Sequence, residues 1–325
     1  MSEKPILKVE KLNKTFKLRK SKLMEEQKIL HALSDVSLEI FEGETMGIIG
    51  ESGCGKSTFG RCLVRLHDAT SGKILFDGVE INEKKGAELK ALRRDIQMIF
   101  QDPYSSLNPR KTAGNIIEEP LIVHGIGDTK ARKEKVKSLM KEVGLNDQHI
   151  HRYPHEFSGG QRQRINVARA LALNPKIIVC DEPVSALDVS VQAQVLNLLN
   201  SIQRQYNLTM VFISHDLSVI KHVSDRIAIM YLGRIVEICR AEEIYKNPKH
   251  PYTQLLLSAI PPETPFEKTK KIELKGEIPS PVGEQVGCPF ASRCKHVMDK
   301  CRVEIPELIE TGDNQMARRR KVPLE

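Results

Sequence analysis

Nine residues near the N-terminus, GESGCGKST from Gly50 to Thr58, restrict the fold of this chain more than any other segment. They fit the pattern G-x-x-x-x-G-K-[ST], in which glycines let successive backbone N–H groups point inward at phosphate oxygens. The pattern requires a strand before the loop and a helix after it. TMGIIG (45–50) predicts that strand and TFGRCLVRL (58–66) predicts that helix. We therefore expect an α/β fold that binds the phosphates of a nucleotide.

The side chains of this phosphate loop have the chemistry that a triphosphate needs. Lys56 is expected to reach the β- and γ-phosphates, and the Ser57 hydroxyl is expected to be a ligand for Mg²⁺. Cys54 lies near the start of the predicted helix, which predicts a lowered thiol pKa and sensitivity to oxidation. We assign Cys54 no catalytic role. The loop residues expected to contact the nucleotide are Gly50, Ser52, Gly53, Cys54, Gly55, Lys56, Ser57 and Thr58.

The segment KIIVCDE (176–182) places two carboxylates at the end of a continuous apolar run. Such a run is typical of a strand that is buried on both faces. Asp181 is expected to hold Mg²⁺ beside the phosphate loop. Glu182, one residue further, is expected to polarise the attacking water as a general base. The alternative is an acidic pair that only caps the strand.

A second anion-binding signal lies in FSGGQRQRINVARAL (157–171). The Ser158 hydroxyl and the N–H groups of Gly159 and Gly160 are expected to point out of a helix N-terminus, with Gln161 beside them. One nucleotide cannot readily use both anion sites of a single molecule when the sequence separates them so far. We therefore expect two subunits arranged head to tail, each phosphate loop facing the SGGQ segment of the other.

The order of the patterns along the chain indicates its organisation. Strand patterns alternate with helix patterns, which indicates a largely parallel sheet with a helical insertion at residues 102–172. Pro-rich breaks occur at PPETP (261–265) and IPSPVG (278–283). Such breaks separate folded units. We expect an ATPase domain over residues 1–260 and a small cysteine-containing extension over residues 261–325.

Taken together, these motifs resemble the ATP-binding cassette (ABC) ATPases, and the resemblance covers about residues 6–240. It implies a P-loop fold with a mixed core sheet, an antiparallel β-subdomain and an α-helical insertion. It also implies ATP and Mg²⁺ as cofactors, and a closed dimer of cassettes as the active state.

Four further site residues follow from this resemblance alone. Phe16 looks like the aromatic residue that stacks on adenine. Gln101 looks like the glutamine that touches Mg²⁺ and the attacking water. His215, in VFISHD, looks like the histidine that contacts the γ-phosphate, and Asp188 closes the SALD segment that looks like the D-loop. A core position for Phe16 and a helix-capping position for His215 are the alternatives.

Three longer segments resemble one branch of the family, the ATP-binding subunits of bacterial oligopeptide and dipeptide importers, with nickel importers as near relatives. They are DPYSSLNPRKTAGNIIEEP (102–120), NPKHPYTQLLLSAIP (247–261) and GCPFASRCKHVMDKCRVEIP (287–306). The resemblance implies a related but distinct second ATPase subunit, two membrane permease subunits and an extracellular solute-binding protein. It places the chain at the cytoplasmic face of the membrane, with a peptide or another small solute as cargo.

The cysteines of the extension leave three outcomes open. Many members of this branch carry four cysteines here, which in some hold a [4Fe–4S] cluster. Cys288, Cys294 and Cys301 match the first three, but Arg318 stands where the fourth would fall. Because such clusters usually take four thiolates, we consider a [4Fe–4S] cluster, a zinc site or ligand-free thiols.

The net charge of +8 is concentrated at the two ends of the chain. Basic ends suit an anionic lipid surface or a nucleic acid, although solvated tails are the simpler explanation. A soluble cassette ATPase that acts on nucleic acid is therefore one rival interpretation, and an inactive regulatory cassette is another. Since the chain has one cassette and retains Glu182, Ser158 and His215, we expect an active ATPase with no nucleic-acid partner.

Overall fold

A computed structural model describes residues 4–20, 27–259, 279–283, 285–312 and 315–319 of the 325-residue chain. Within these ranges, the helices pack on two β-sheets. Among the helices described there, none has both the length and the apolar character that a membrane span requires.

The strands divide between a larger central sheet and a smaller antiparallel sheet. In chain order, the strands are β1 (Pro5–Lys17), β2 (Ile29–Phe41), β3 (Thr45–Ile49), β4 (Ser71–Phe76), β5 (Val79–Glu80), β6 (Ile96–Ile99), β7 (Ile177–Asp181), β8 (Thr209–Ser214), β9 (Arg226–Tyr231), β10 (Arg234–Arg240), β11 (Leu308–Gly312) and β12 (Gln315–Arg318).

The α-helices cover both faces of the central sheet and form the insertion between β6 and β7. In chain order, they are α1 (Lys56–Leu63), α2 (Gly86–Asp95), α3 (Ala113–Val123), α4 (Thr129–Glu142), α5 (Gly159–Leu171), α6 (Val189–Tyr206), α7 (Leu217–Val223), α8 (Ala241–Lys246), α9 (Pro251–Ser258) and α10 (Asp299–Val303).

The central sheet is mixed, as the family resemblance implied. Its strand order is β11-β12-β10-β9-β3-β8-β7-β6, with parallel pairing from β9 to β6 and antiparallel pairing among the remaining strands. Because β3, β7 and β8 run parallel, their carboxyl ends meet at one edge of the sheet. Ile49 pairs there with Ser214, and Asp181 pairs with Ile213. This edge carries the phosphate loop and both predicted carboxylates.

The position of strand β7 explains the continuous apolar run in its sequence. Its side chains alternate between the two faces of the sheet, and all of them are buried. Ile177 and Val179 pack in the core that includes Phe59 of α1, whereas Ile178 and Cys180 pack in the core that includes Leu199 of α6. A strand covered on both faces cannot place a polar residue before its end. The first polar side chain of β7 is therefore Asp181, at the edge of the sheet.

The smaller sheet has the order β2-β1-β4-β5 and is antiparallel throughout. Its two long strands, β1 and β2, contain 13 residues each, more than the mean strand length of about 5–6 residues. The extra length matters for the site because Phe16 lies near the end of β1, where it pairs with Leu30 of β2. The helical insertion predicted at residues 102–172 contains α3, α4 and α5.

The C-terminal residues continue the central sheet. Strand β12 pairs with β10 through Glu237 and Ala317, and β11 completes the edge. Glu237 is fully buried, and its carboxylate accepts hydrogen bonds from the backbone N–H of Lys249 and of His250 and from the Gln315 amide. A buried carboxylate that accepts three hydrogen bonds is satisfied and fixes its donors. The start of α9 and the edge of the sheet are thereby joined.

We predict a pH-dependent loss of stability at His250. Burial lowers the pKa of this imidazole from 6.5 to about 3, and the charge of Arg318 acts in the same direction. Its Nδ1 accepts the Tyr252 N–H, which requires the neutral ring. The unfolded chain takes up this proton near pH 6.5 and the folded chain does not, so the free energy of unfolding decreases by about 1.4 kcal/mol per pH unit as the pH falls from 6.5 toward 3.

The test compares the parent chain with His250→Asn in urea unfolding between pH 7 and pH 4. Asparagine keeps an acceptor for the Tyr252 N–H but does not titrate. Carboxylates contribute equally to both proteins, so the difference between the two curves isolates His250. The variant should lose less stability on acidification, and parallel curves would contradict the prediction.

Candidate nucleotide site

The phosphate loop joins β3 to α1, as the sequence predicted. Gly53 and Gly55 have positive φ angles of 78° and 104°, which L side chains rarely adopt. A Cβ atom at Gly50 would lie 2.1 Å from the Met230 carbonyl oxygen, and one at Gly55 would lie 2.3 Å from the Ala32 oxygen. Neighbouring backbone therefore leaves no room for larger residues at these two positions.

Lys56 folds back into this loop. Its Nζ donates to the carbonyl oxygens of Gly50 at 2.7 Å and Glu51 at 3.0 Å, and the residue is only 4% exposed. Burying an ammonium group is costly unless anionic or dipolar groups compensate for lost hydration. Two carbonyl dipoles provide only partial negative charge, so a phosphate would bind here with a favourable charge balance.

A cavity of about 710 Å³ opens beside the loop. Its volume lies within the range of small-molecule sites, roughly 300–1,000 Å³. Most of the residues predicted to hold or hydrolyse the nucleotide line this cavity. They are Phe16, Ser52, Gly53, Gly55, Lys56, Ser57, Thr58, Gln101, Glu182 and His215.

Asp181 lies behind the loop and not on the cavity wall. Its Oδ1 accepts the Ser57 hydroxyl at 2.8 Å, so the two predicted Mg²⁺ ligands already contact each other. Burial raises the pKa of the Asp181 carboxyl, and the Ser57 hydrogen bond only partly offsets that effect. Hydroxyl and carboxylate oxygens are the hard donors that Mg²⁺ prefers, so this pair fits the ion.

Glu182 is held by the two other residues assigned to catalysis. Its Oε2 accepts the Gln101 amide at 2.9 Å and lies 3.1 Å from Nδ1 of His215. The backbone of Glu182 has a φ of 46°, and its N–H donates to the Ile213 carbonyl. Left-handed backbone at a non-glycine residue is strained and persists only where the surroundings fix it. The strain turns the carboxylate out of the buried strand and into the cavity.

Phe16 lies on the wall opposite the carboxylates. Its ring meets His67 edge to face at 5.5 Å, and Lys14 Nζ lies 4.8 Å from its centroid. The ring is half-buried and still lines the cavity. A core position is therefore excluded, whereas stacking on adenine remains a prediction.

The sequence argument about Cys54 was wrong. The thiol is only 4% exposed, and burial raises its pKa although Lys56 lies nearby. Removal of a thiolate from water raises its pKa, and this desolvation outweighs the lowering effects of the Lys56 charge and the backbone hydrogen bonds. The side chain faces Gly50 inside the loop and does not line the cavity.

The SGGQ segment has the predicted helix-start geometry. Ser158 caps α5: its Oγ accepts the Gln161 N–H, and Gln161 Oε1 accepts the Ser158 N–H in return. This reciprocal pair fixes the first turn of the helix. None of Ser158, Gly159, Gly160, Gln161 and Asp188 lines the cavity beside the phosphate loop. A single molecule therefore keeps its two predicted anion sites apart.

The three C-terminal cysteines line one cavity of about 270 Å³, together with Arg318. Arg318 lies there, but its guanidinium donates to the Ile235, Pro306 and Asp35 carbonyl oxygens and to the Asp35 carboxylate. In the described part of the chain, no group of three or more Cys, His, Asp or Glu side chains is arranged to hold a metal ion. Among the described residues, the cavity that Cys288, Cys294 and Cys301 line contains no fourth cysteine.

Comparison with known proteins decides the family. Residues 33–185 match the ABC transporter family, and residues 236–301 match the oligopeptide/dipeptide transporter C-terminal region. The oligopeptide transport ATP-binding protein AppF of Bacillus subtilis is 49% identical over 96% of this chain and 95% of its own length. The oligopeptide transport ATP-binding protein OppF of Escherichia coli is 50% identical over 94% and 93%. This chain belongs to the ABC transporter ATPases.

Solved structures agree with this ABC ATPase. The dimeric cassette MJ0796, in a post-hydrolysis state bound to ADP and Pi, matches with a TM-score of 0.64 and 33% identity over 72% of this chain and 98% of its own. The cbiO1 protein of Clostridium perfringens, part of the cbiONQ transporter complex, matches with a TM-score of 0.65 and 26% identity over 75% and 92%.

Several residues that line the cavity of this ABC ATPase were missed by the sequence analysis. Leu30, His31 and Ala32 come from β2, and Leu232 with Gly233 comes from the turn between β9 and β10. These positions carry no motif, because backbone atoms and ordinary apolar side chains form the wall.

Two other missed residues had some signal. Pro281 lies in the IPSPVG stretch, which the sequence analysis used only as a boundary, although it also lines the cavity. Ser185 lies in SALD and lines the cavity as well, unlike Asp188 at the other end of the same segment. Proximity in the chain therefore did not decide which residues reach the site.

We predict that the ABC ATPase tolerates Gly160→Ala poorly. A Cβ atom there would lie 2.3 Å from Cγ1 of Val191 in α6. Overpacking of this kind costs about 1–3 kcal/mol, which should lower the melting temperature by several degrees. The double variant Gly160→Ala/Val191→Ala removes the clashing methyl group and should recover most of the loss. Failure of Val191→Ala to rescue would mean that this contact is not the cause.

Proposed function

We propose that this chain hydrolyses ATP to power peptide uptake through a membrane ABC importer. The observation that carries the proposal is full-length similarity, at 49–50% identity, to two subunits named oligopeptide transport ATP-binding proteins. The match of residues 236–301 to the oligopeptide/dipeptide transporter C-terminal region supports the same cargo. Uptake of nickel or another small solute is the alternative within the same branch.

The cavity supports the hydrolytic step. Lys56 would bind the terminal phosphates, and Ser57 with Asp181 would hold Mg²⁺, which neutralises phosphate charge when bound. Glu182 would accept the proton of the attacking water as the general base. Gln101 and His215 orient the Glu182 carboxylate, because both contact its Oε2. A γ-phosphate that draws Gln101 or His215 away would free Glu182 for the water.

The separation of the two anion sites supports a dimer. Ser158, Gly159 and Gly160 do not line the chain's own cavity, so they are available to a nucleotide held by another molecule. We propose that a second, related ATPase subunit places its P-loop against this segment. The P-loop of this chain would in turn lie against the equivalent segment of that subunit. ATP would then bridge the two subunits, and hydrolysis would remove the bridge.

The loop after Gln101 is tied to the helix that begins at Ser158. Ser106 bonds the Asn166 amide oxygen at 3.1 Å through its hydroxyl, and its carbonyl accepts Arg169 of α5 at 2.7 Å. Tyr104 is 61% exposed, and Arg162 of α5 lies 4.9 Å from its ring centroid. A membrane subunit that contacts this loop would therefore sense movement of both Gln101 and Ser158.

This arrangement supports a place at the cytoplasmic face of the membrane, against two permease subunits. An extracellular solute-binding protein would deliver the cargo on the other side. The proposal does not include a [4Fe–4S] cluster or a zinc ion. Within the residues that the structure describes, no Cys, His, Asp and Glu side chains are grouped to hold either one.

We predict that Glu182→Gln separates ATP binding from hydrolysis. Glutamine keeps the shape and the Gln101 contact but cannot accept a proton, so turnover should fall by about 10²-fold or more. ATP binding should persist, and together with the second ATPase subunit the variant should accumulate a nucleotide-bound dimer that is visible by gel filtration with ATP. An exposed carboxylate, Glu242, supplies the control Glu242→Gln, which should leave turnover unchanged. Normal turnover in Glu182→Gln would contradict the assignment of the base.

The cargo is tested in cells that lack this gene. We expect uptake of a radiolabelled tripeptide to be lost and to return with the parent gene, but not with Glu182→Gln. Uptake of ⁶³Ni²⁺ is measured in the same cells. Loss of nickel uptake with intact peptide uptake would favour the alternative cargo.

A further inference from the structure

An arginine of the C-terminal region reaches the phosphate loop. Arg293 lies in a short turn, Ala291–Arg293, directly before Cys294. Its two terminal nitrogens contact the two carboxylate oxygens of Glu51, each at 3.2 Å. Glu51 is the second residue of the G-x-x-x-x-G-K-[ST] pattern. This contact joins segments separated by 242 positions in the sequence.

The ion pair between Arg293 and Glu51 is mostly shielded from solvent. The Arg293 side chain is 4% exposed and the Glu51 side chain 24% exposed. Burial lowers the pKa of the guanidinium, but hydrogen bonds to Glu51 and to the Tyr231 hydroxyl outweigh burial, so the pKa of Arg293 is raised overall. A two-pronged Arg–carboxylate pair fixes both position and direction, unlike a single surface contact.

Glu51 is held from three sides. Its backbone N–H donates to the Tyr252 hydroxyl at 3.1 Å, and its carboxylate binds Arg293. Its carbonyl oxygen accepts Nζ of Lys56 at 3.0 Å, the group that faces the phosphates. A shift of the Glu51 side chain would therefore displace the carbonyl that places the Lys56 ammonium.

Aromatic side chains pack around the contact between Arg293 and Glu51. Phe290 packs edge to face against Tyr231 at 5.3 Å and against Tyr252 at 5.5 Å. Arg293 lies 5.8 Å from the Tyr231 ring centroid and 5.9 Å from that of Phe290. Phe290 and Arg293 belong to the C-terminal region, whereas Tyr231 ends β9. The aromatic cluster thus packs the turn that contains Arg293 onto the central sheet.

The same region touches the other end of the cavity. The His31 N–H donates to the Pro281 carbonyl, and the Gly283 N–H donates to the Ile29 carbonyl, each at 3.0 Å. Pro281 itself lines the cavity on the side of Phe16. The C-terminal region therefore contacts both the phosphate end and the Phe16 end of the site.

We propose that Arg293 is a positioning residue of the nucleotide site, which holds the phosphate loop through Glu51 and so couples ATP affinity to the C-terminal region. The inference rests on ATP binding at this loop and does not depend on a peptide as the cargo. Arg293 acts through Glu51 and Lys56 and does not touch the phosphates.

The test measures ATP affinity of the purified full-length chain by isothermal titration calorimetry. Arg293→Gln removes the charge and both prongs of the contact, and we expect ATP to bind about tenfold more weakly, as is typical for loss of a partly buried charged hydrogen bond. Arg302→Gln, an exposed arginine of the same region, is the matched control and should bind ATP as the parent does. Parental affinity in Arg293→Gln would overturn the proposal.

A double-mutant cycle separates positioning from general destabilisation. Glu51→Gln should also weaken ATP binding, and Arg293→Gln added to it should cost little more, because the contact is already broken. Additive losses would overturn the proposal, since Arg293 would then act independently of Glu51. Arg293→Lys keeps the charge without the fork and should retain part of the affinity.

Thermal unfolding of each variant is recorded without nucleotide. Variants that are fully folded at the titration temperature and still bind ATP weakly support the positioning role. If ATP affinity instead follows melting temperature across Arg293→Gln, Arg293→Lys and Arg302→Gln, the role is structural and the proposal fails. Peptide uptake is not measured here, so a negative result leaves the proposed cargo untouched.

Discussion

The site depends on an ammonium group buried among carbonyl dipoles. Lys56 is held by the carbonyl oxygens of Gly50 and Glu51, in a loop whose path only glycine permits at Gly50 and Gly55. Carbonyls position the cation without neutralising it, so the loop stays electrostatically unsatisfied until an anion arrives. Backbone N–H groups at the start of α1 reinforce the same preference. The loop geometry therefore precedes the ligand, and the rest of the fold keeps that geometry in place.

The sequence predicted this part well because its causes are local. Glycines shape the loop, and the apolar run of β7 has to end before Asp181 can ionise or bind a cation. The prediction about Cys54 failed for the opposite reason. The helix terminus is local, but the burial that raises the pKa of the thiol comes from tertiary packing, in a core that also contains Met230. Pro281 and Arg293 were missed for the same reason, since tertiary packing brings Pro281 to the cavity wall and Arg293 to Glu51 of the phosphate loop.

The two predicted anion sites of this chain lie on different parts of its surface. The Ser158 capping pair with Gln161 forms within one chain and makes a rigid helix start, yet it lies outside the chain's own cavity. The strained backbone of Glu182 points its carboxylate into that cavity and toward Gln101 and His215. Lys56 and Glu182 therefore share one cavity, whereas the start of α5 lies outside it. This separation within one molecule is the feature from which the proposed pairing of two cassettes was argued.

The C-terminal region packs on the central sheet and is connected to the phosphate loop by hydrogen bonds. Strands β11 and β12 extend the central sheet, and Glu237 of β10 binds Gln315 of β12 while it also fixes the start of α9. Tyr252 of α9 then reaches the backbone of Glu51 in the phosphate loop. A chain of hydrogen bonds consequently runs from the sheet edge to the P-loop, and Arg293 adds a second link from the cysteine turn. Both links end on Glu51, the residue whose carbonyl accepts the Lys56 ammonium, so a displacement of Tyr252 or Arg293 is expected to act on that carbonyl.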